Sequence, residues 1–391
     1  MPRQYQFMSG DGHLEVPPER WVHRVPAKYR DRAPRTVQLP DGGDAVLIEG
    51  RPLMEANFLD LRAGRSDGQW QPFGIKVEDA GGTGPPEQRL REQDEDGLDA
   101  EVLFPAMVAG PVLWRNISHD DVYRAVVRGY NDWLGEEYCS VDRDRLIGMG
   151  IIPWTNADDA VEEMEHCAKL GLKGILLGVL PNGKGYPTPE DDKFWAAAVD
   201  MDMPVTVHVA LDRSGPRESQ PTFKYPKEDP EVMARIRRPL LEWMTNFGLR
   251  PAVPITQLVL SGVFDRFPTL KVYFAETRLG WVPFWLEHAD LWYQRHISWT
   301  TEQMGFKPLK RLPSEYVKEH IYWSVQYERV AVELRHHVGV DKIMFATDFP
   351  HIECEWPNSR RLVDEIYADV PADEKYRMWA GNAVEFFRLN G

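Results

Sequence analysis

What most constrains this chain is a repeated alternation of short apolar β-runs with helical stretches, beginning near Glu87 and continuing to the C-terminus. Residues 100–105, 146–153, 174–177, 204–209, 270–275, 321–325 and 342–347 read as strands. Apolar residues recur at helical spacing over 120–138 (Val122, Val126, Tyr130, Trp133), 157–170, 191–200, 230–247, 258–267, 282–296, 329–337, 359–367 and 372–387. With an opening run over 5–8, this predicts eight β units, mostly followed by helices. That is the pattern of an α/β fold of the (β/α)8 TIM barrel type. A doubly wound open sheet usually shows a glycine-rich phosphate turn after its first strand. Here Asp11-Gly12-His13 follows instead, which favours the barrel.

Barrels with insertions reach 391 residues as one domain, so residues 1–391 read as a single barrel with 14–95 inserted after the first strand. Within the insertion, 36–39 and 45–48 flank Pro40-Asp41-Gly42-Gly43 and predict a β-hairpin. Residues 60–90 are polar, with several glycines and Pro85-Pro86, and read as a surface excursion. The insertion is long enough to mediate a homodimer. An apolar content of 43% supports a large core and excludes a disordered chain. A formal charge of −15 argues against a nucleic-acid partner, because phosphate binding needs a basic surface. No apolar run approaches the roughly 20 residues of a membrane span. The N-terminus enters a strand without a signal-peptide apolar region. Cys139, Cys167 and Cys354 are scattered and odd in number, as expected of reduced thiols in a cytoplasmic protein.

Catalytic groups of a barrel sit at the C-terminal ends of its strands. The first strand leads to Asp11 and His13, which share a face if the segment is extended. The fifth ends at His208, the sixth at Glu276 and the eighth at Asp348. Each has an ordinary reading alone: a polar turn, a core histidine, a helix cap, an N-cap. Polar groups at the same end of several strands instead suggest a divalent-metal site, with oxygen and imidazole ligands suited to zinc, iron or manganese.

These residues sit in longer motifs: DGH at 11–13, DEDGLDAEV at 94–102, GIL at 174–176, PVTVH at 204–208, GVFDRFPTLKVYFAETRLGW at 262–281, TDFPH at 347–351 and GNA at 381–383. In this combination the chain resembles the amidohydrolase-2 group of the amidohydrolase superfamily, which includes the aminocarboxymuconate semialdehyde and γ-resorcylate decarboxylases. The resemblance implies a divalent metal held by Asp11, His13, His208 and Asp348, with Asp348 placed to accept a proton from bound water. There are two departures. Family decarboxylases usually carry a histidine where this chain has Glu276. The carbamate lysine of many hydrolase members has no counterpart either, because Lys173 precedes the fourth strand and Gly178 holds the expected position. One ion is therefore favoured, with a second held by Glu276 and His351 left open.

The chemistry expected first is hydrolysis. A divalent ion lowers the pKa of bound water to about 7, and the hydroxide attacks an amide, ester or thioester. Asp348 or Glu276 would move the proton, with His208 at the same centre. Arg278 and Arg213 are candidates to grip a substrate carboxylate, although a surface ion pair is the plainer reading of each. His351 and Trp154 are candidates to contact a bulky apolar or aromatic acid derivative, and Trp70, Phe73, Trp114, Trp281 and Trp323 are further aromatic candidates. The alternative is a non-oxidative decarboxylase of an aromatic or unsaturated acid. It ranks second because the proton donor would be Glu276, and an ordinary carboxyl group is already ionised at neutral pH. A barrel retained only for binding is the third reading.

Overall fold

The computed structural model describes residues 3–49, 51–57, 61–65, 69, 73–105, 117–209, 211 and 250–389. The sequence-predicted helix over 230–247 lies outside them, as do Arg213, Trp70 and Trp114. Eleven strands are described: β1 Met8–Leu14, β2 Arg35–Gln38, β3 Asp44–Ile48, β4 Arg51–Asn57, β5 Ala100–Pro105, β6 Leu146–Ile151, β7 Gly174–Leu176, β8 Val205–His208, β9 Val272–Ala275, β10 Ile321–Val325 and β11 Ile343–Phe345. Eight of them form one parallel sheet in the order β1-β5-β6-β7-β8-β9-β10-β11. Its two edges meet through a parallel bridge between Gly12 and Phe349, with His13 N donating to Phe349 O at 2.7 Å and Asp348 N to Asp11 O at 2.9 Å. The result is a nearly closed barrel wrapped by helices.

The expected hairpin is present: β2 pairs antiparallel with β3, and β4 adds a third strand that the sequence reading did not anticipate. The excursion over 60–90 ends in an unexpected helix, Pro86–Asp96, with Pro86 in its first turn and Gly97 closing it in the left-handed conformation at φ 74°. This helix buries Arg89, Glu92, Gln93 and Asp96, so it has no apolar periodicity to reveal it. The expected helices over 120–138 and 372–387 form, each with a π-helical turn, at Leu134–Tyr138 and Arg377–Gly381. The one over 329–337 is broken into Arg329–Glu333 and Arg335–Val338. Among the described residues, no helix is long and apolar enough to cross a membrane.

Strand alternation sorts the side chains. Val205, Val207, Val272 and Phe274 pack into the layer between barrel and helices. Met8, Val102, Met149, Tyr273, Ala275 and Met344 belong to a second core with Ala383, Val384 and Phe387. By the same parity Thr206 and His208 join this second, interior set. In β1 the register slips by one residue between Ser9 and Gly12, opposite Glu101 and Leu103. That bulge matters for function. Without it, alternation from Met8 would turn Gly10 and Gly12 inward; with it, Asp11 and His13 face the interior instead. A side chain has little room here: a Cβ at Gly10 would lie 2.7 Å from Tyr273 Oη and one at Gly12 2.7 Å from Arg89 Nη2.

Arg89 is 1% exposed and spans the seam. It donates to Glu101 Oε2 at 2.6 Å, to His13 O at 2.9 Å and to Phe349 O at 3.2 Å, and its guanidinium lies 4.4 Å from the Phe349 ring centre. Arg89→Ala should lower unfolding free energy by about 3–5 kcal/mol, because it leaves Glu101 buried and unpaired. Urea denaturation checks this. The double variant Arg89→Met with Glu101→Leu should recover a large part of the loss, since it removes both buried charges.

Candidate metal centre

The barrel rim brings together six residues singled out from sequence, Asp11, His13, His208, Glu276, Asp348 and His351. His13 Nε2 lies 3.5 Å from Asp11 Oδ1 and 3.3 Å from Asp348 Oδ1. His208 Nε2 lies 3.5 Å from Asp11 Oδ2 and 3.1 Å from Glu276 Oε2. The His13 ring stacks on His351 at 3.9 Å and meets His208 edge-on at 4.6 Å. Two overlapping sets have ligand atoms within 4.8 Å of one another: Asp11, His13, His208 and Glu276, and His13, Glu276, Asp348 and His351.

These atoms fit a divalent cation. Both Asp11 oxygens, both Asp348 oxygens, both His13 nitrogens and His208 Nε2 are buried, and no hydrogen bond of ordinary geometry reaches them. Buried polar atoms left unpaired cost about 1–3 kcal/mol each, more when charged, so a group of them facing one point argues for a shared ligand. Oxygen and imidazole together suit manganese, zinc or iron.

Electrostatics agree. Burial raises the Asp11 carboxyl above its usual range. Burial, then the Asp348, Glu353 and Asp11 carboxylates, push Glu276 well above its own. Burial, then His351 and His208, hold the His13 imidazole well below its usual value, keeping it neutral as a ligand must be. For Asp348, burial alone would raise the carboxyl, but His351 and His13 outweigh it and hold the group ionised. Burial would lower His351, and Asp348 and Glu15 outweigh that in turn.

The backbone turns sharply where these groups are delivered. Val209, Glu276, Arg278 and Asp348 have φ of 58°, 54°, 54° and 55°. Left-handed conformation is costly for residues with a Cβ, most of all for β-branched valine, and such strain gathers at functional sites. It redirects Glu276, which strict alternation after the interior Ala275 would send outward. Glu276 N donates to Ser324 Oγ at 2.6 Å, fixing that turn.

The remaining candidates divide. His351 bridges Asp348 Oδ1, 3.2 Å from its Nδ1, and Glu15 Oε1, 3.0 Å from its Nε2. Arg278 pairs with Glu353 at 2.6 Å and keeps 35% of its side chain exposed on the rim. Trp154 follows β6 directly and packs near Tyr123 and the Gly183 turn rather than on the cluster. Sequence reasoning missed Glu15 and gave Glu353 no role. Glu15 had a signal: it shares the face of Asp11 and His13, two residues further on.

The family model described as amidohydrolase, of the amidohydrolase-2 type, matches residues 11–389 and so includes every residue of the cluster. The chain belongs to this family. It is 26% identical to a gamma-resorcylate decarboxylase of Polaromonas sp. over 366 residues, covering 88% of this chain and 98% of that protein. A 2-amino-3-carboxymuconate-6-semialdehyde decarboxylase of Dictyostelium discoideum is 23% identical, over 78% of this chain and 77% of its own length. An amidohydrolase from Mycobacterium avium subsp. paratuberculosis shares the fold with TM-score 0.74 at 18% identity, covering 98% of both chains. A 5-carboxyvanillate decarboxylase of Novosphingobium aromaticivorans, solved with manganese and 3-methoxy-4-hydroxy-5-nitrobenzoic acid, gives TM-score 0.61 at 23% identity, over 77% of this chain and 80% of that one. An amidohydrolase-2 enzyme whose relatives are decarboxylases favours the carboxy-lyase expectation, and hydrolysis loses its first place.

Elemental analysis should find about one divalent ion per chain, and His208→Ala should cut metal affinity by roughly 100-fold or more while leaving the far-ultraviolet dichroism unchanged. Full metal retention in that variant would contradict the ligand set.

Proposed function

We propose that the protein is a metal-dependent, non-oxidative decarboxylase of a small aromatic acid with a hydroxyl group ortho to its carboxylate. The observation that carries this reading is the match to a gamma-resorcylate decarboxylase over 98% of that protein, on a chain whose own rim gathers a metal-ligand set. Relatives solved with 2,6-dihydroxybenzoate and with the nitrobenzoic acid above support the substrate class.

In this reading Asp11, His13, His208 and Asp348 hold the ion. When bound, it supplies a positive centre able to chelate the substrate's carboxylate and neighbouring hydroxyl. Glu276 stays off the ion and acts as the general acid. Burial and the neighbouring carboxylates push its carboxyl well above the usual range, which favours the protonated form and weakens the objection that ranked decarboxylation second. It delivers that proton to the ring carbon bearing the carboxylate. The bond from ring to carboxyl then breaks, its electron pair returns to the ring, and carbon dioxide leaves. Water returns a proton to Glu276. His351, held between Glu15 and Asp348, orients the Asp348 carboxylate. Arg278, kept at the rim by Glu353, is the candidate to hold a second polar group of the substrate.

The manganese-loaded enzyme should release carbon dioxide from 2,6-dihydroxybenzoate or a related hydroxybenzoate, and a chelator should abolish release until metal is restored. Hydrolysis of an ester or thioester panel with no carbon dioxide from any acid would sink the proposal. Glu276→Gln should lower kcat by about 100-fold to 10,000-fold with metal content unchanged. Glu276→His, which installs the residue usual in family decarboxylases, should keep more activity than Glu276→Gln.

A further inference from the structure

The seventh barrel strand, Ile321–Val325, leads directly into Gln326, an amide that no other group engages. Gln326 is 0% exposed, yet neither its Oε1 nor its Nε2 meets a hydrogen-bond partner. The buried amides of Gln93 and Asn382 leave only the carbonyl oxygen unpaired, because their nitrogens donate to Glu101 and to Val340 O. Among the described residues, Gln326 is the one buried amide with both ends unpaired. An unpaired buried polar atom carries its full desolvation cost, and here two sit on one side chain.

Strand parity and register place this amide. Trp323 and Val325 belong to the layer between barrel and helices, and Tyr322 to the interior core. Ser324 and Gln326 therefore face the interior. Ser324 Oγ accepts from Glu276 N at 2.6 Å, so this face meets the turn that delivers Glu276. His208 pairs with Ala275, and Phe274 with Trp323, which puts His208, Ala275 and Ser324 in one layer. Gln326 lies in the next layer toward the rim, on a strand between those that lead to Glu276 and Asp348. A substrate ring held above the His208 layer would lie at this level. Burial does not set Gln326 apart from the cluster, because Asp11 and Asp348 are 0% and 1% exposed themselves. The backbone beside it is anchored on both following residues. Tyr327 Oη bonds Ser359 Oγ at 2.6 Å, and Glu328 accepts from Leu279 N at 2.9 Å and Gly280 N at 2.8 Å.

The surroundings select the group that the amide would meet. The carboxyls of Asp11, Asp348 and Glu353 already act on Glu276, so a further anionic substituent is disfavoured there. Arg278, the cation of this rim, is paired with Glu353. An amide offers donors and an acceptor without charge, and a hydroxyl both accepts and donates. We propose that Gln326 is a specificity-determining residue that binds a second hydroxyl on the substrate ring, beyond the one beside the carboxylate. This rests on the hydroxy-acid decarboxylase reading above and narrows it to rings with more than one hydroxyl. An acid without the second hydroxyl leaves the amide unpaired, and a buried polar group left unpaired is what makes a site reject such an analogue.

Calorimetric titration of the manganese-loaded enzyme with 2-hydroxybenzoate, and with the dihydroxybenzoates that share its ortho hydroxyl, tests this without requiring turnover. At least one dihydroxybenzoate should bind about 10- to 100-fold more tightly than 2-hydroxybenzoate. Gln326→Met, of similar length and without hydrogen-bonding ends, should bring that acid down to the affinity of 2-hydroxybenzoate. The Tm of this variant should hold or rise by up to about 3 °C, because an apolar group replaces an unpaired amide. A lowered Tm, a loss by the same factor on every acid, or a wild type without the preference overturns the proposal. Assaying the same acids for carbon dioxide separates this inference from the reading beneath it. A Gln326-dependent binding preference with no carbon dioxide from any acid would overturn decarboxylation and keep the hydroxyl subsite. Carbon dioxide release with the same ratio of kcat/KM between acids in both proteins would keep decarboxylation and overturn the role of Gln326.

Discussion

The seam between β1 and β11 is closed by backbone hydrogen bonds, by Ser9 and Thr347, and by one guanidinium that spans it. Arg89 reaches in from the helix that ends the insertion and binds the carbonyls of His13 and Phe349, one on each side of the seam, while Glu101 of β5 balances its charge. The two carbonyls belong to a metal-ligand candidate and to the residue after another. Barrel closure and site geometry are therefore one problem. A shift of the seam would separate Asp11 and His13 from Asp348, and the Gly12 contact shows how little room the seam leaves.

The centre itself is crowded with carboxyl groups that cannot all be ionised at little cost. Asp11, Glu276, Asp348 and Glu353 face a common space with few solvent contacts. Two unit charges about 4 Å apart interact by roughly 4 kcal/mol at an effective dielectric of 20, so the metal-free site gives up stability to keep them there. His351 and Arg278 offset part of this. A divalent cation would offset more, which makes folding and metal loading linked equilibria. The arrangement also divides labour among chemically similar groups. Asp348, flanked by two imidazoles, stays ionised, while burial and the surrounding carboxylates push Glu276 well above the usual carboxyl range. One carboxylate suits a cation and the other suits general acid chemistry.

Much of this was legible in the sequence because barrels place function at the ends of strands. His208, Glu276 and Asp348 each close an apolar run, and Asp11 with His13 follows one, so four strand ends pointed at one rim. The supporting parts were hidden for identifiable reasons. The apolar run of the first strand stops at Met8, yet the strand continues through polar and glycine residues to Leu14. The bulge that turns Asp11 and His13 inward leaves no mark in hydropathy. Helix Pro86–Asp96 buries charged and amide side chains, so the period that reveals helices was absent. The preference for hydrolysis assumed a carboxyl of ordinary acidity at Glu276. Burial and neighbouring charge, which only the fold supplies, change that.

The most direct test of the account is anomalous diffraction from manganese-loaded crystals. The expected map shows one manganese bonded to Asp11, His13, His208 and Asp348, with the Glu276 carboxyl outside bonding distance and free to act as an acid. Manganese bonded to Glu276 instead, or absent from this rim, would contradict it.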